Sequence, residues 1–232
     1  MYTITFNGST AKENNIYIVK RPSIPAPKRR ATTTAVPGRD GALIEFDGSY
    51  EPITIPVSMN FISDSADDWA EDFRTAKDWL SATGCKLVLS DDGDYFYNVY
   101  YCEITTAERT AKRLGSFTAE FICAPYKYLY SGLEEYSYSE VLGNPYALCH
   151  PTYIITGVGE CDLTVNGNTL TAWITSNITI DTERMIAYTD DGEVSNTSVS
   201  GNYDELYLES GTNTITVTSG FTLTVIPNWR CL

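Results

Sequence analysis

The side chains able to do chemistry in this 232-residue chain are few and scattered. Its one histidine, His150, stands directly before Pro151, and no G-x-S-x-G, P-loop or H-E-x-x-H pattern makes it part of a catalytic set. Those surroundings support a structural histidine near a junction between domains. Paired carboxylates are easily found among 30 acidic residues, and Asp181 with Glu183 would be the pair for a glycosidase. Two positions apart beside a strand end, they face the same way and read as turn and rim residues instead. The run Ser90-Asp91-Asp92-Gly93-Asp94 is rich in oxygen but lacks the alternate-residue spacing of a calcium loop, so it reads as a hairpin turn. Cys85, Cys102, Cys123, Cys149, Cys161 and Cys231 show no C-x-x-C spacing; zinc is not expected, and without a secretory leader they read as reduced, mostly buried thiols. No catalytic residue, metal or cofactor is expected, and the chain is not expected to be an enzyme.

Two constellations suit binding. Trp173 and Trp229 fall in a tyrosine-bearing C-terminal half, where they either stack pyranose rings on an exposed aromatic platform or fill the core between two sheets. The other constellation is basic. Lys20, Arg21, Lys28, Arg29, Arg30 and Arg39 are six of the 16 basic residues in a chain of net charge −14. Pro22, Pro25 and Pro27 run through the same stretch; closely spaced prolines cannot donate to a sheet ladder and hold the chain extended, so it reads as an arm leaving the domain body. A cationic arm on an anionic body is suited to gripping another copy of that body. Nucleic acid is the weaker partner, because the net charge repels phosphates.

The elements that position these residues are mostly strands: 17 tyrosines against 3 methionines favour sheet over helix. Residues 2–6 and 16–19 read as short strands about an Asn7-Gly8 turn. Pro37-Gly38-Arg39-Asp40-Gly41 is a turn, after which the chain alternating through Leu43, Asp47 and Tyr50, broken by turn residues, and the strand face of Ile53, Ile55, Val57 and Met59 read as a hairpin. One helix is expected over about residues 65–83, where Trp69, Phe73, Ala76 and Leu80 recur at helical spacing and Trp79 widens the stripe. Asp64 or Ser65 would cap it and Gly84 end it, and it should pack across a sheet. Strands at 85–89, 95–105 and 114–123 complete this half. Up to Tyr130 there are 14 basic and 17 acidic residues; from Ser131 onward there are 2 and 13. Two domains, 1–130 and 131–232, are expected, the second a helix-free β-sandwich with strands at 152–156, 161–165, 170–174, 178–181, 184–188, 205–208, 214–217 and 222–226. With no leader pattern and no apolar stretch of membrane-spanning length, a soluble chain made in a cytosol is expected.

Several patterns together resemble the distal tail proteins of long, non-contractile-tailed bacteriophages, the siphophage tail component family. They are PGRDG with its following hairpin (Pro37 to Gly41), FICAPYKY (Phe121 to Tyr128), HPTYIITG (His150 to Gly157), ITIDTERMIAY (Ile178 to Tyr188), and LYLESGTNTITV and VIPNWRCL between Leu206 and Leu232. The resemblance implies a tail-tube-like N-terminal β domain with one helix, six copies of which close into a ring. Residues of about 20–50 would be a belt reaching a neighbouring subunit, and the C-terminal domain a galectin-like sandwich outside the ring. The implied function is a structural hub of the tail tip or baseplate in the virion. It would join the tail tube protein to the tip hub, with the tape-measure protein and DNA passing through the channel without specific binding, and with no membrane partner. The alternative is a carbohydrate-binding module that recognises host surface saccharide through the C-terminal sandwich.

Overall fold

The computed structural model describes residues 2–38 and 40–232, apart from the side chains of Thr105 and Thr106. It is mainly β and divides into a first unit running to Lys127 and a second unit, Tyr128–Cys231.

In the first unit, Asn7 and Gly8 take φ of 49° and 77°, the paired left-handed conformation that closes a tight hairpin between β1 (Ile4–Phe6) and β2 (Ser9–Thr10). There follow β3 (Ile16–Ile18), β4 (Arg29–Ala35), β5 (Ala42–Tyr50), β6 (Ile53–Ile62), α1 (Trp69–Leu80), β7 (Cys85–Leu89), β8 (Tyr95–Arg109) and β9 (Leu114–Leu129). Seven of the strands form one sheet in the order β2-β1-β7-β8-β9-β6-β3. Along β6 every second residue is buried, and the antiparallel register sets these against the buried residues of β9: Ile53 on Cys123, Ile55 on Phe121, Val57 on Ala119, Met59 on Phe117. Helix α1 covers this face. It buries Ala76, Trp79 and Leu80, and the Trp79 indole N–H donates to the Phe6 carbonyl at 3.1 Å. Phe61 stacks on Phe73 with ring centroids 6.0 Å apart and also meets Trp69 and Phe117. Each such side chain, fully buried, contributes roughly 1.5–3 kcal/mol of transfer free energy.

Three expectations are corrected here. The helix begins at Trp69 and not near 65: the Ser65 hydroxyl accepts from the Asp67 and Asp68 N–H groups at 3.2 and 3.4 Å, so the serine organises a turn ahead of the helix. The helix also stops at Leu80, and Gly84, with φ of 66°, lies past its end. Strand β5 does not pair with β6; it pairs with β4, and β6 is taken up by β3 and β9.

The second unit contains β10 (Tyr136–Ser137), β11 (Gly143–Asn144), β12 (Thr152–Thr156), β13 (Gly159–Val165), β14 (Asn168–Ile174), β15 (Asn177–Asp181), β16 (Ile186–Tyr188), β17 (Val199–Ser200), β18 (Gly211–Thr212), β19 (Ile215–Val217), β20 (Thr222–Ile226) and β21 (Arg230–Cys231). One sheet runs β10-β20-β12-β15-β16 and another β17-β14-β13-β19, with a small β11-β18 pair beside them. Alternate residues of both larger sheets are buried, among them Tyr153, Ile155, Ile180 and Val225 of the first and Leu163, Val165, Leu170 and Ala172 of the second. That is the pattern of a sandwich core. The strand expected at 205–208 is instead a 3₁₀ turn, Tyr203–Leu206, followed by a bridge from Leu208 to Cys149. The buried Tyr153 hydroxyl donates to the Leu206 carbonyl at 2.8 Å and so holds the turn where a ladder would run. The strand expected at 184–188 shortens to Ile186–Tyr188 because the Asp181 carboxylate accepts from the Arg184 N–H at 2.9 Å and Met185 takes φ of 55°.

All six cysteines are free thiols; Cys123, Cys149 and Cys161 are buried. Burial pushes the Cys102 and Cys123 thiols up to about 12, which keeps them protonated and inert. Among the described residues no helix is long and apolar enough to cross a membrane.

Candidate interface: an exposed basic ribbon

Among the described residues, strands β4 and β5 pair only with each other. Gly38 and Gly41, with φ of 78° and 82°, supply the left-handed positions of the turn between them, and Arg39 lies outside the described residues. The register pairs Thr32 with Glu45, Thr33 with Ile44, Thr34 with Leu43 and Ala31 with Phe46. Because side chains alternate, one face therefore carries Ala31, Thr33, Ala35, Ala42, Ile44 and Phe46, and the other carries Thr32, Thr34, Leu43 and Glu45. The first face is apolar. It is uncovered all the same: Ile44 and Phe46 are each 56% exposed, as is Leu43 of the opposite face at 52%. A two-stranded ribbon alone in water is marginally stable, which makes this uncovered face a candidate contact surface. Its ends are tied to the first unit by the Tyr50 ring, which meets Tyr126 edge-on at 5.7 Å.

The basic residues divide into two kinds. Lys20, Lys28, Arg29 and Arg30 are exposed, and among the described residues their side chains make no ion pair or hydrogen bond. Arg21 is different: its guanidinium is hydrogen-bonded to Asp91 of the same unit, which holds that carboxyl below the usual carboxylate range. Lys127 likewise takes Asp92 at 2.9 Å and lies over the Tyr95 ring. Two of the three acids of the Ser90 to Asp94 turn, which joins β7 to β8, are thus paired with cations of their own chain.

In the second unit His150 is locked in a polar cluster. Arg230 Nη2 donates to His150 Nε2 at 2.9 Å, which leaves the proton on Nδ1 to be donated to Glu183 at 3.1 Å; the imidazole stacks on Tyr207 at 4.1 Å. The bond from His150 is the main reason the Glu183 carboxyl is held below its ordinary value. A glycosidase acid needs the opposite shift. Asp181 meanwhile accepts from the Arg184 N–H, so the two carboxylates serve separate networks.

The tryptophans separate as well. Trp229 is 8% exposed and meets Tyr146, so its ring lies in the interior; Trp173, on β14, is 61% exposed. The register places Glu160 directly opposite Trp173. Sequence reasoning singled out neither Glu160 nor the Ile44 and Phe46 face, although the apolar–polar alternation of residues 42–47 was the available signal for the latter.

No protein-family model matches the chain, and no curated protein sequence does. Its fold is nevertheless that of a solved protein. The chain matches the SPP1 Dit (gp 19.1) protein, described as a paradigm of the hub adsorption apparatus in phages infecting Gram-positive bacteria, at a TM-score of 0.67 and 14% identity over 100% of both chains.

Proposed function

We propose that this chain is a structural, non-enzymatic hub of a phage tail tip: copies close into a six-fold ring that joins the tail tube to the tip hub. The observation that carries this reading is the basic β4–β5 ribbon, whose apolar face has no cover among the described residues. In a ring, each copy's ribbon lies on its neighbour, so no ribbon is left over. Burial of Ile44 and Phe46 there would contribute roughly 1.5–3 kcal/mol each. Lys28, Arg29 and Arg30 would steer the ribbon onto an anionic neighbour. The full-length fold match supports the same reading.

The mechanism is mechanical. The ring holds open a channel for the tape-measure protein and DNA, and a net charge of −14 keeps passing DNA from adhering. The place of action is the virion, with the tube protein above the ring and the tip proteins below it. Negative-stain images of the purified chain test this: rings with a central hole are expected from the intact chain, and folded single copies from a chain lacking Ser23 to Thr34. Rings from the shortened chain would refute the role given to the ribbon.

A further inference from the structure

We propose that the outward face of the β13–β14 ladder binds a neutral saccharide chain, with Trp173 as its stacking platform. This proposal does not depend on the hub reading. Cys161, Leu163 and Val165 of β13 and Leu170, Ala172 and Ile174 of β14 are buried, so the residues between them face solvent. The register sets Glu160 opposite Trp173, Asp162 opposite Thr171, and Thr164 opposite Thr169. Side chains directly opposite in such a ladder have Cβ atoms about 4.5–5.5 Å apart, which puts Glu160 beside Trp173 on the same face. The Thr171 hydroxyl donates to Asp162 Oδ1 at 2.6 Å, fixing that carboxylate with its second oxygen left to accept from a ligand. Thr164 and Thr169 join their hydroxyls at 2.8 Å further along the row.

This is what a pyranose requires. Its C–H face stacks on an exposed aromatic ring, and its hydroxyls donate to oriented carboxylates. The row from Glu160 to Thr164 extends for about 14 Å along β13, enough for two or three sugar rings in line. Two observations select the occupant. Residues 131–232 carry 13 acidic and 2 basic residues, which repels polyanionic glycans. A protein hot spot would need an apolar surround that shuts out water, yet the outward row beside Trp173 is made of threonines and carboxylates.

Affinity electrophoresis of the full chain through gels containing laminarin, amylose, galactan, mannan or anionic polygalacturonate tests the proposal, paired with iodide quenching of tryptophan fluorescence. Trp79 and Trp229 are buried and Trp69 half-buried, so Trp173 dominates what iodide reaches. At least one neutral polymer should retard the chain and protect its fluorescence, while polygalacturonate does neither. Trp173→Ala should weaken the retardation at least tenfold, and Glu160→Gln several-fold, with unchanged thermal melts. The proposal is overturned if no neutral polymer retards the chain, if Trp173→Ala is retarded like the native chain, or if the substitution abolishes self-association instead.

Discussion

Strands β5 and β6 follow one another with only Glu51 and Pro52 between them, and both alternate apolar with polar residues, yet their fates are opposite. On β6, Ile55, Val57 and Met59 are fully buried; on β5, Leu43, Ile44 and Phe46 are more than half exposed. The difference lies in the neighbours. β6 has β3 and β9 at its two edges and α1 across its face, whereas β5 has β4 alone. Alternation marks which face is to be buried, but the free energy is gained only where something arrives to cover it. For β6 that cover belongs to the same chain. For β5 no such cover is present among the described residues, and an exposed apolar ribbon of this kind is an aggregation hazard.

The contrast can be broken by substitution. The largest effect is expected in the β6–β9 core: Phe121→Ala should lower unfolding free energy by about 3–5 kcal/mol in urea titrations, because it opens a cavity in a packed interior. In the same titration Phe46→Ala should change stability by no more than about 0.5 kcal/mol. Equal losses at the two positions would show that the ribbon face is buried within its own chain.

Next in size is Gly115→Ala on β9. A Cβ there would lie 2.2 Å from the Phe61 ring, which is itself wedged among Trp69, Phe73 and Phe117 and cannot retreat. A loss of about 1–3 kcal/mol is expected, read as a lowered melting temperature.

A smaller effect concerns pH. The bond from His150 lowers the Glu183 carboxyl, and a group whose folded value is depressed stabilises the fold above its unfolded value and loses that contribution as pH falls through the folded one. With Glu183 about half exposed, Glu183→Gln should cost about 0.5–1 kcal/mol at neutral pH and almost nothing in strong acid, flattening the acid limb of the stability curve. A parallel, unflattened curve would show that this carboxylate contributes nothing to acid stability. Smallest of all, reversing Lys28, Arg29 and Arg30 to Glu should leave the melting temperature unchanged, since these side chains make no ion pair or hydrogen bond among the described residues.

Much of the core was legible in the sequence. The period-two run from Ile53 to Met59 and the helical stripe of Ala76, Trp79 and Leu80 each announce a buried face, and the structure buries them. Pairing was harder to read. The stretch before Pro37 reads as a proline-bearing arm, and the threonines of β4 carry no hydropathy contrast to mark it as the strand that meets β5. Leu206 and Leu208 are spaced like a strand, but the Tyr153 hydroxyl holds the chain in a turn. The contact of Arg230 with His150 spans 80 positions and leaves no local trace. Composition treats Trp173 and Trp229 alike; only the register of β14 turns one of them to solvent.

The central claim is that the ribbon's apolar face is a contact between copies. Its most direct test is the native mass by light scattering of the intact chain and of the double variant Ile44→Asp, Phe46→Asp. A ring of six copies is expected for the intact chain, and a single copy with an unchanged melting temperature for the variant. The same mass for both proteins would contradict the claim.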